Sequence, residues 1–464
     1  MTSSDASASF LAKPYVLDLF AGPGGLDVAA HLLGVRSLGI EWDKDACETR
    51  YAAGLETLHA DVSQVRRERF QDLPKELNVL AGGPPCQTYS VAGNGAGREA
   101  LAKVEEVIHA LLDRVSDEEI DRRLAELGDD NRTALVLEPL RYAIKALYCR
   151  NREGRPFDVI VLEQVPQVKA LWQAYKKVLE AGLPGPDGME VKYQVAEIAT
   201  LRTEEYGVPQ TRRRTILVAR LAAHGSPRLP RPTHHAYNPH NPIQGGPQDE
   251  KAVAGEKQIA LPVAGGEPPL RPWVPMWDVL RATERMPEGR KTPFEIKSNY
   301  GTGGDPEKRG IRTYRQPSFT VTGKASRNVV QTPGGRAPHD PDRMTIREAG
   351  ILQTFPPNYP WDGGDQSQQV GNAVPPLFGM HVLAAALGIP HFQEEKVLAD
   401  WEVASVEDRI TLRKSGCDDP DGKGCGPDCP KKIRPTSKRQ ASASTSAAAT
   451  SRPRTGASAK RSAK

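Results

Sequence analysis

Tyr15-Val16-Leu17-Asp18-Leu19-Phe20-Ala21-Gly22-Pro23-Gly24-Gly25 reads as a short apolar strand running straight into a glycine-rich turn. Leu26, Ala29, Ala30 and Leu33 follow at helical spacing, and Gly34 supplies a stop. Residues 35–40 form a second apolar run that ends at Glu41-Trp42-Asp43, and a second helix is expected to about Ala53. A third β segment should end near Asp61, and residues 78–81 form a fourth. Strands alternating with helices predict an α/β fold, a doubly wound and mostly parallel sheet with crossover helices.

Farther along, residues 157–163 are almost continuously apolar, as expected of a strand covered on both faces. Segments 191–201 and 214–220 complete the strands, and 133–149 reads as a helix. Two amphipathic helices over 99–127 read as a surface insertion, with Ser116 and Glu119 placed as a capping box. From about 222 to 341 the composition turns to Pro, Gly, His and Arg with weak periodicity, which predicts a smaller, loop-rich domain. Helical pattern resumes over 344–353 and 375–387, so residues 342–390 are expected to return to the first domain, 14–221. Residues 1–13 are expected to be disordered; the tail, 391–464, reads as one helix and a cysteine-bearing loop, then from 431 a basic segment with too little apolar sequence to order itself.

Of the 464 residues, 38% are hydrophobic, and no apolar run reaches the roughly 18–20 residues of a membrane span. The start has no signal-peptide pattern, so a cytoplasmic protein with reduced thiols is expected. Net charge is +4, but residues 431–464 hold ten Lys/Arg and no Asp or Glu, leaving a net −6 on residues 1–430. Any nucleic-acid surface on the body must therefore be a local patch. Cys417, Cys425 and Cys429 lack a fourth ligand and a standard spacing, so no metal site is expected.

Two constellations carry chemistry. Gly22, Gly24 and Gly25 let a ligand approach backbone at a helix start, yet Asp27 stands where a dinucleotide fingerprint needs glycine. Glu41 is placed for a ribose diol, Trp42 for an adenine face and Asp61 for an exocyclic amine, which together suggest a nucleoside cofactor without a pyrophosphate. The second constellation is Val79-Leu80-Ala81-Gly82-Gly83-Pro84-Pro85-Cys86, a strand and stiff turn presenting one thiol. The residues alone leave Cys86 either a nucleophile or a small buried hydrophobe.

The ordered series of motifs resembles the DNA (cytosine-5) methyltransferase family of bacterial restriction–modification type. It comprises Asp18–Gly25, Pro84-Pro85-Cys86-Gln87, Glu163-Gln164-Val165, Gln210-Thr211-Arg212-Arg213-Arg214, Arg347–Pro356 and Gln369–Pro376. The resemblance covers roughly residues 14–220 and 315–388. It implies a Rossmann-like S-adenosylmethionine-dependent methyltransferase fold, with residues 222–341 as the target-recognition domain. It further implies that Cys86 adds to cytosine C6, that Glu163 hydrogen-bonds N3, and that Arg212 and Arg214, beside Gln210, surround the base. Asp18, Phe20, Gly22, Gly24, Gly25, Glu41, Trp42, Asp61, Pro85 and Asn372 match the cofactor positions. The 90–97 run matches the loop that closes over a flipped base.

One departure stands inside a motif: Gln164 replaces the family's Asn, lengthening the amide that positions the Pro85–Cys86 turn. The implied partner is double-stranded DNA, bound by a monomer near the nucleoid, with a restriction endonuclease acting on the same site. A tRNA cytosine-5 methyltransferase on the same scaffold and a catalytically silent DNA-binding relative are the competing readings.

Overall fold

β1 (Tyr15–Leu19) is buried at every position, as a strand sandwiched between helical layers must be. A computed structural model describes residues 10–85, 96–126, 132–251, 253, 268–301, 309–335 and 337–402. The chain divides into two units, 1–415 and 416–464, and every described residue falls in the first.

After β1 the chain turns through Phe20, Gly22 and Gly24, with φ of 60°, 55° and 104°, and enters α1 (Gly25–Leu32). β2 (Arg36–Glu41) follows, then α2 (Lys44–Ala52), begun by an Asp43 side chain that accepts from the Ala46 N–H. β3 (Thr57–His59) ends two residues before Asp61, which caps the next helical turn by accepting from the Gln64 N–H. With β4 (Val79–Gly82) and β5 (Val159–Gln164), these strands build the parallel order β3-β2-β1-β4-β5.

Between β4 and β5 lie α3 (Ala96–Leu112), α4 (Asp117–Ala125) and α5 (Glu138–Tyr148). The first two are more than a surface insertion. Val104, Ile108, Ile120 and Leu124 are buried in the main core, so the pair forms part of a layer covering the sheet. Arg66 and Arg141, both nearly fully buried, tie that layer down through Asp117, Glu138 and Asp121.

α6 (Lys169–Ala181) leads to β6 (Tyr193–Val195) and β7 (Ala199–Arg202), where one strand was expected. Both pair antiparallel with the nine-residue β8 (Arg213–Leu221), one at each of its ends, and β8 pairs antiparallel with β5. Side-chain alternation splits the core. Leu17, Leu19, Leu80 and Ile160 face one helical layer; Val16, Ala81, Val159, Val161 and Ile216 face the other.

The loop-rich region carries a second, antiparallel sheet: β9 (Glu295–Gly301), β10 (Arg309–Thr313), β11 (Val329–Gln331) and β12 (Pro338–Arg343), in the order β10-β9-β11-β12. α7 (Ile346–Leu352) opens with a complete capping box made by Thr345 and Glu348. α8 (Gln366–Asn372) and α9 (Pro376–Leu387) then bring the chain back onto α1. A Cβ at Gly379 of α9 would lie 3.0 Å from the Ala29 Cβ, an approach only glycine allows without adjustment. Gln366–Leu387 has a membrane span's length and apolarity, but 83% of its most apolar window is buried inside the protein, the setting of a core helix.

Candidate active site

Strand register decides which turns meet. Leu19 pairs with Gly82, and Gly82 with Leu162, so β1, β4 and β5 end level on one edge of the sheet. The glycine turn after β1, the Gly83-Pro84-Pro85 turn after β4, and Glu163-Gln164 at the end of β5 therefore share the carboxyl edge where doubly wound sheets bind ligands.

On the β1–β2 side, Gly22 donates its backbone N–H to Glu41 Oε2 at 2.7 Å, and Asp43 N–H donates to Oε1 at 2.7 Å. Each carboxylate oxygen keeps a lone pair for a diol. A Cβ on Gly22 would meet nothing within 4 Å, so the turn opens onto free space. Trp42 is 61% exposed beside it. Phe20 is partly buried against the core, and Asp61 spends Oδ1 on its cap. The returning chain closes the back of this turn: Tyr359 donates its hydroxyl to the Pro23 carbonyl at 2.6 Å, and a Cβ on Gly25 would strike the Val374 carbonyl oxygen at 2.1 Å. Asn372 is exposed on that return and accepts from Gln368. A carboxylate for a diol, an open indole face and an open glycine turn fit S-adenosylmethionine.

Asp18 is set differently from its expected role. It is 2% exposed, and its carboxyl lies among Asp27, Arg50 and Glu41, under the turn and closed to a ligand. Burial, and then the neighbouring Asp27, hold it well above the usual carboxylate range.

On the β4–β5 side, Glu163 is 8% exposed, with Arg214 Nε 2.6 Å from its Oε1. A Cβ on Gly83 would lie 3.4 Å from Glu163 Oε2, so the turn passes directly over this carboxyl. Gln164 Nε2 donates to the Pro84 carbonyl oxygen at 2.6 Å, and its Oε1 accepts from the Val165 N–H. The longer amide thus still holds the turn. Pro85 is the last described residue of it; Cys86 and residues 90–95 of the expected closing loop lie outside the described residues, as do Cys417, Cys425, Cys429 and the basic tail.

Gln210 and Arg212 do not join Glu163 and Arg214. Both stand before β8 begins at Arg213, and their side chains turn into the junction with the second sheet. Arg212 is 2% exposed and donates to the carbonyls of Val321, Gly371 and Ala373 at 2.9–3.2 Å. Gln210 is fully buried, bonded to the Leu352 carbonyl, Gln353 Oε1 and the Val321 N–H. Both are clamps between regions far apart in sequence; Arg212 spends both Nη atoms on these carbonyls, and its Nε is buried without a partner among the described residues.

The reading of the sequence missed Arg50, Asp27 and Tyr359, which support the glycine turn from below and behind. One signal was available: Asp27 and Arg50 are the charged residues of opposite sign that helices with otherwise buried faces present inward. Among the described residues no group of three or more His, Cys, Asp or Glu could hold a metal.

A Rossmann-like sheet with an open glycine turn, a carboxylate at the end of β2, and a second turn over a buried glutamate defines an S-adenosylmethionine-dependent methyltransferase of the α/β class. The family model for C-5 cytosine-specific DNA methylase matches residues 15–105 and 187–387, and the chain belongs to that family. It is accordingly a DNA cytosine-5 methyltransferase that uses S-adenosylmethionine. Curated relatives include the Type II methyltransferase M1.HphI of Haemophilus parahaemolyticus, 26% identical over 379 residues, covering 80% of this chain and 86% of that protein. M.Eco47II of Escherichia coli is 26% identical over 368 residues, covering 78% and 75%. Among solved structures, that of S. pombe Dnmt2 methyltransferase covers 81% of this chain and 98% of its own, with 15% identity and a TM-score of 0.44.

Proposed function

We propose that Cys86, Glu163 and Arg214 form the base-handling centre of this DNA cytosine-5 methyltransferase, and that Glu41, Trp42, Asp61 and the 20–25 turn hold the methyl donor. The observation that carries it is that Gln164, next to Glu163, is bonded to the Pro84 carbonyl at 2.6 Å, while a Cβ on Gly83 would stand 3.4 Å from Glu163 Oε2: the turn that precedes Cys86 and the acid on β5 are held together.

The chemistry follows from the base. Cytosine C5 is a weak nucleophile. Addition of the Cys86 thiolate to C6 forms an S–C6 bond and places the ring electrons on C5. Glu163, at N3, steadies the charge that develops there, and Arg214 orients Glu163 and offers donors to O2. S-adenosylmethionine supplies an electrophilic methyl group to C5. Loss of the C5 proton to a base then restores the C5–C6 double bond and breaks S–C6, returning the thiolate. Attack on a ring from above and below requires it to leave the stack, so the target cytosine is flipped.

Residues 222–341, with the sheet β9–β12, supply target recognition, and the chain acts as a monomer on double-stranded DNA, in the cytoplasm at the nucleoid. The Type II names of its relatives support a place in a restriction–modification pair, with an endonuclease reading the same site.

The test uses duplex DNA carrying 5-fluorocytosine, whose C5–F bond blocks the final elimination. The full chain with S-adenosylmethionine should form a covalent complex that survives denaturation, and Cys86→Ala should not. Folded, donor-binding protein that traps nothing on DNA, or traps only on tRNA, would reject this reading.

A further inference from the structure

Beneath the glycine turn lies a charged cluster with no place in the chemistry above. Arg50 of α2 and Asp27 of α1 pair at 2.6 Å with both side chains 0% exposed. The same guanidinium nitrogen stands 3.5 Å from the carbonyl oxygens of Ala21 and Gly22; Nη2 donates to the Glu56 carbonyl at 3.1 Å and Nε to Thr57 Oγ1 at 3.0 Å. One side chain therefore touches the turn, the first turn's helix and the start of β3. The fit leaves no slack, because a Cβ on Gly39 would fall 2.0 Å from Arg50 Nη2.

We propose that Arg50 is a positioning residue for the methyl donor: anchored by Asp27, its guanidinium sets the carbonyls of Ala21 and Gly22, and so fixes the turn that presents the Gly22 N–H to Glu41. Glu41 sits between the two roles, held at 2.7 Å by Gly22 and facing the donor's sugar. A shift of the turn of less than an ångström would therefore be felt first as lost donor affinity. The acidic neighbours agree with this assignment. Asp18 and Asp27 lie side by side, each with a buried Oδ1 that has no partner among the described residues, and the guanidinium of Arg50 is the cation whose charge acts on both. Stability alone does not call for such a cluster, since a buried ion pair replaced by apolar groups of matching volume is often no less stable.

The inference rests on the donor site proposed above. The experiment measures S-adenosylmethionine Kd by calorimetry, duplex DNA Kd by anisotropy, melting temperature, and kcat with KM for the donor. Its variants are Arg50→Lys and the apolar pair Asp27→Leu/Arg50→Met. Arg50→Lys keeps the charge and loses the fork, and should weaken donor binding about tenfold or more, the worth of one good hydrogen bond. DNA affinity should hold, and kcat at saturating donor should stay within about threefold of wild type. The apolar pair should recover melting temperature without recovering donor affinity. Wild-type donor affinity in the apolar pair, or in folded Arg50→Lys, would overturn the inference. Wild-type protein that binds no donor would instead fail the donor site on which it rests.

Discussion

Gln164 Nε2 lies 2.6 Å from the Pro84 carbonyl oxygen, two residues before Cys86. The side chain is one methylene longer than the family's Asn, and the loop accommodates it by folding the amide back, so that Oε1 also takes the Val165 N–H. One amide fixes both the end of β5 and the turn after β4.

Removing that amide should slow chemistry and spare donor binding. Gln164→Ala is expected to lower the single-turnover methylation rate by about tenfold to a hundredfold, the range for losing one or two hydrogen bonds that hold a reacting group. Gln164→Asn should fall between. An unchanged rate for Gln164→Ala, in rapid-quench assays with labelled donor, would show that the turn positions itself.

The two arginines flanking Arg213 should separate cleanly. Arg212 is closed in by three carbonyls, so Arg212→Ala strands several buried acceptors and should cost about 3 kcal/mol or more of stability, read by chemical denaturation. Arg214 is partly exposed and pairs with Glu163, so Arg214→Ala should keep its melting temperature within a few degrees and lose about a hundredfold or more in kcat. Equal stability losses for the two would contradict the division of roles.

Glu204 predicts a pH effect. Its side chain is 3% exposed at the junction near Arg312, and burial pushes its carboxyl up to about 7. The folded state then keeps a proton that the unfolded chain releases near the ordinary value of 4.5, so this group's contribution to stability falls as pH rises from 4.5 and levels off above about 7. Glu204→Gln, which cannot ionise, should be more stable than wild type at pH 8 by about 1–3 kcal/mol, with the gap closing by pH 4. Parallel melting curves across that range would refute it.

The two ends of the chain's logic were legible to different depths. Apolar runs, glycine turns and their spacing predict the parallel sheet, because those patterns act within a dozen residues. The same patterns mistook α3 and α4 for surface: their helical stripes show that one face is buried, without saying against what. Likewise Gln210, Arg212 and Arg214 sit in one motif and read as one group. The Leu352, Val321 and Gly371 carbonyls, more than a hundred residues away, take Gln210 and Arg212 as clamps, while Arg214 pairs with Glu163.

By itself, then, the sequence determined the fold class, the family, and the residue types at the sheet edge, since each depends on local pattern and motif order. Only the tertiary structure decided that Gln164 holds Pro84, that Asp18 turns inward to Asp27 and Arg50, and that Arg212 is spent on carbonyls. Those are questions of which donor meets which acceptor. They are settled by strand register and by the return of residues 342–387 onto α1, long-range distances that no local spacing encodes.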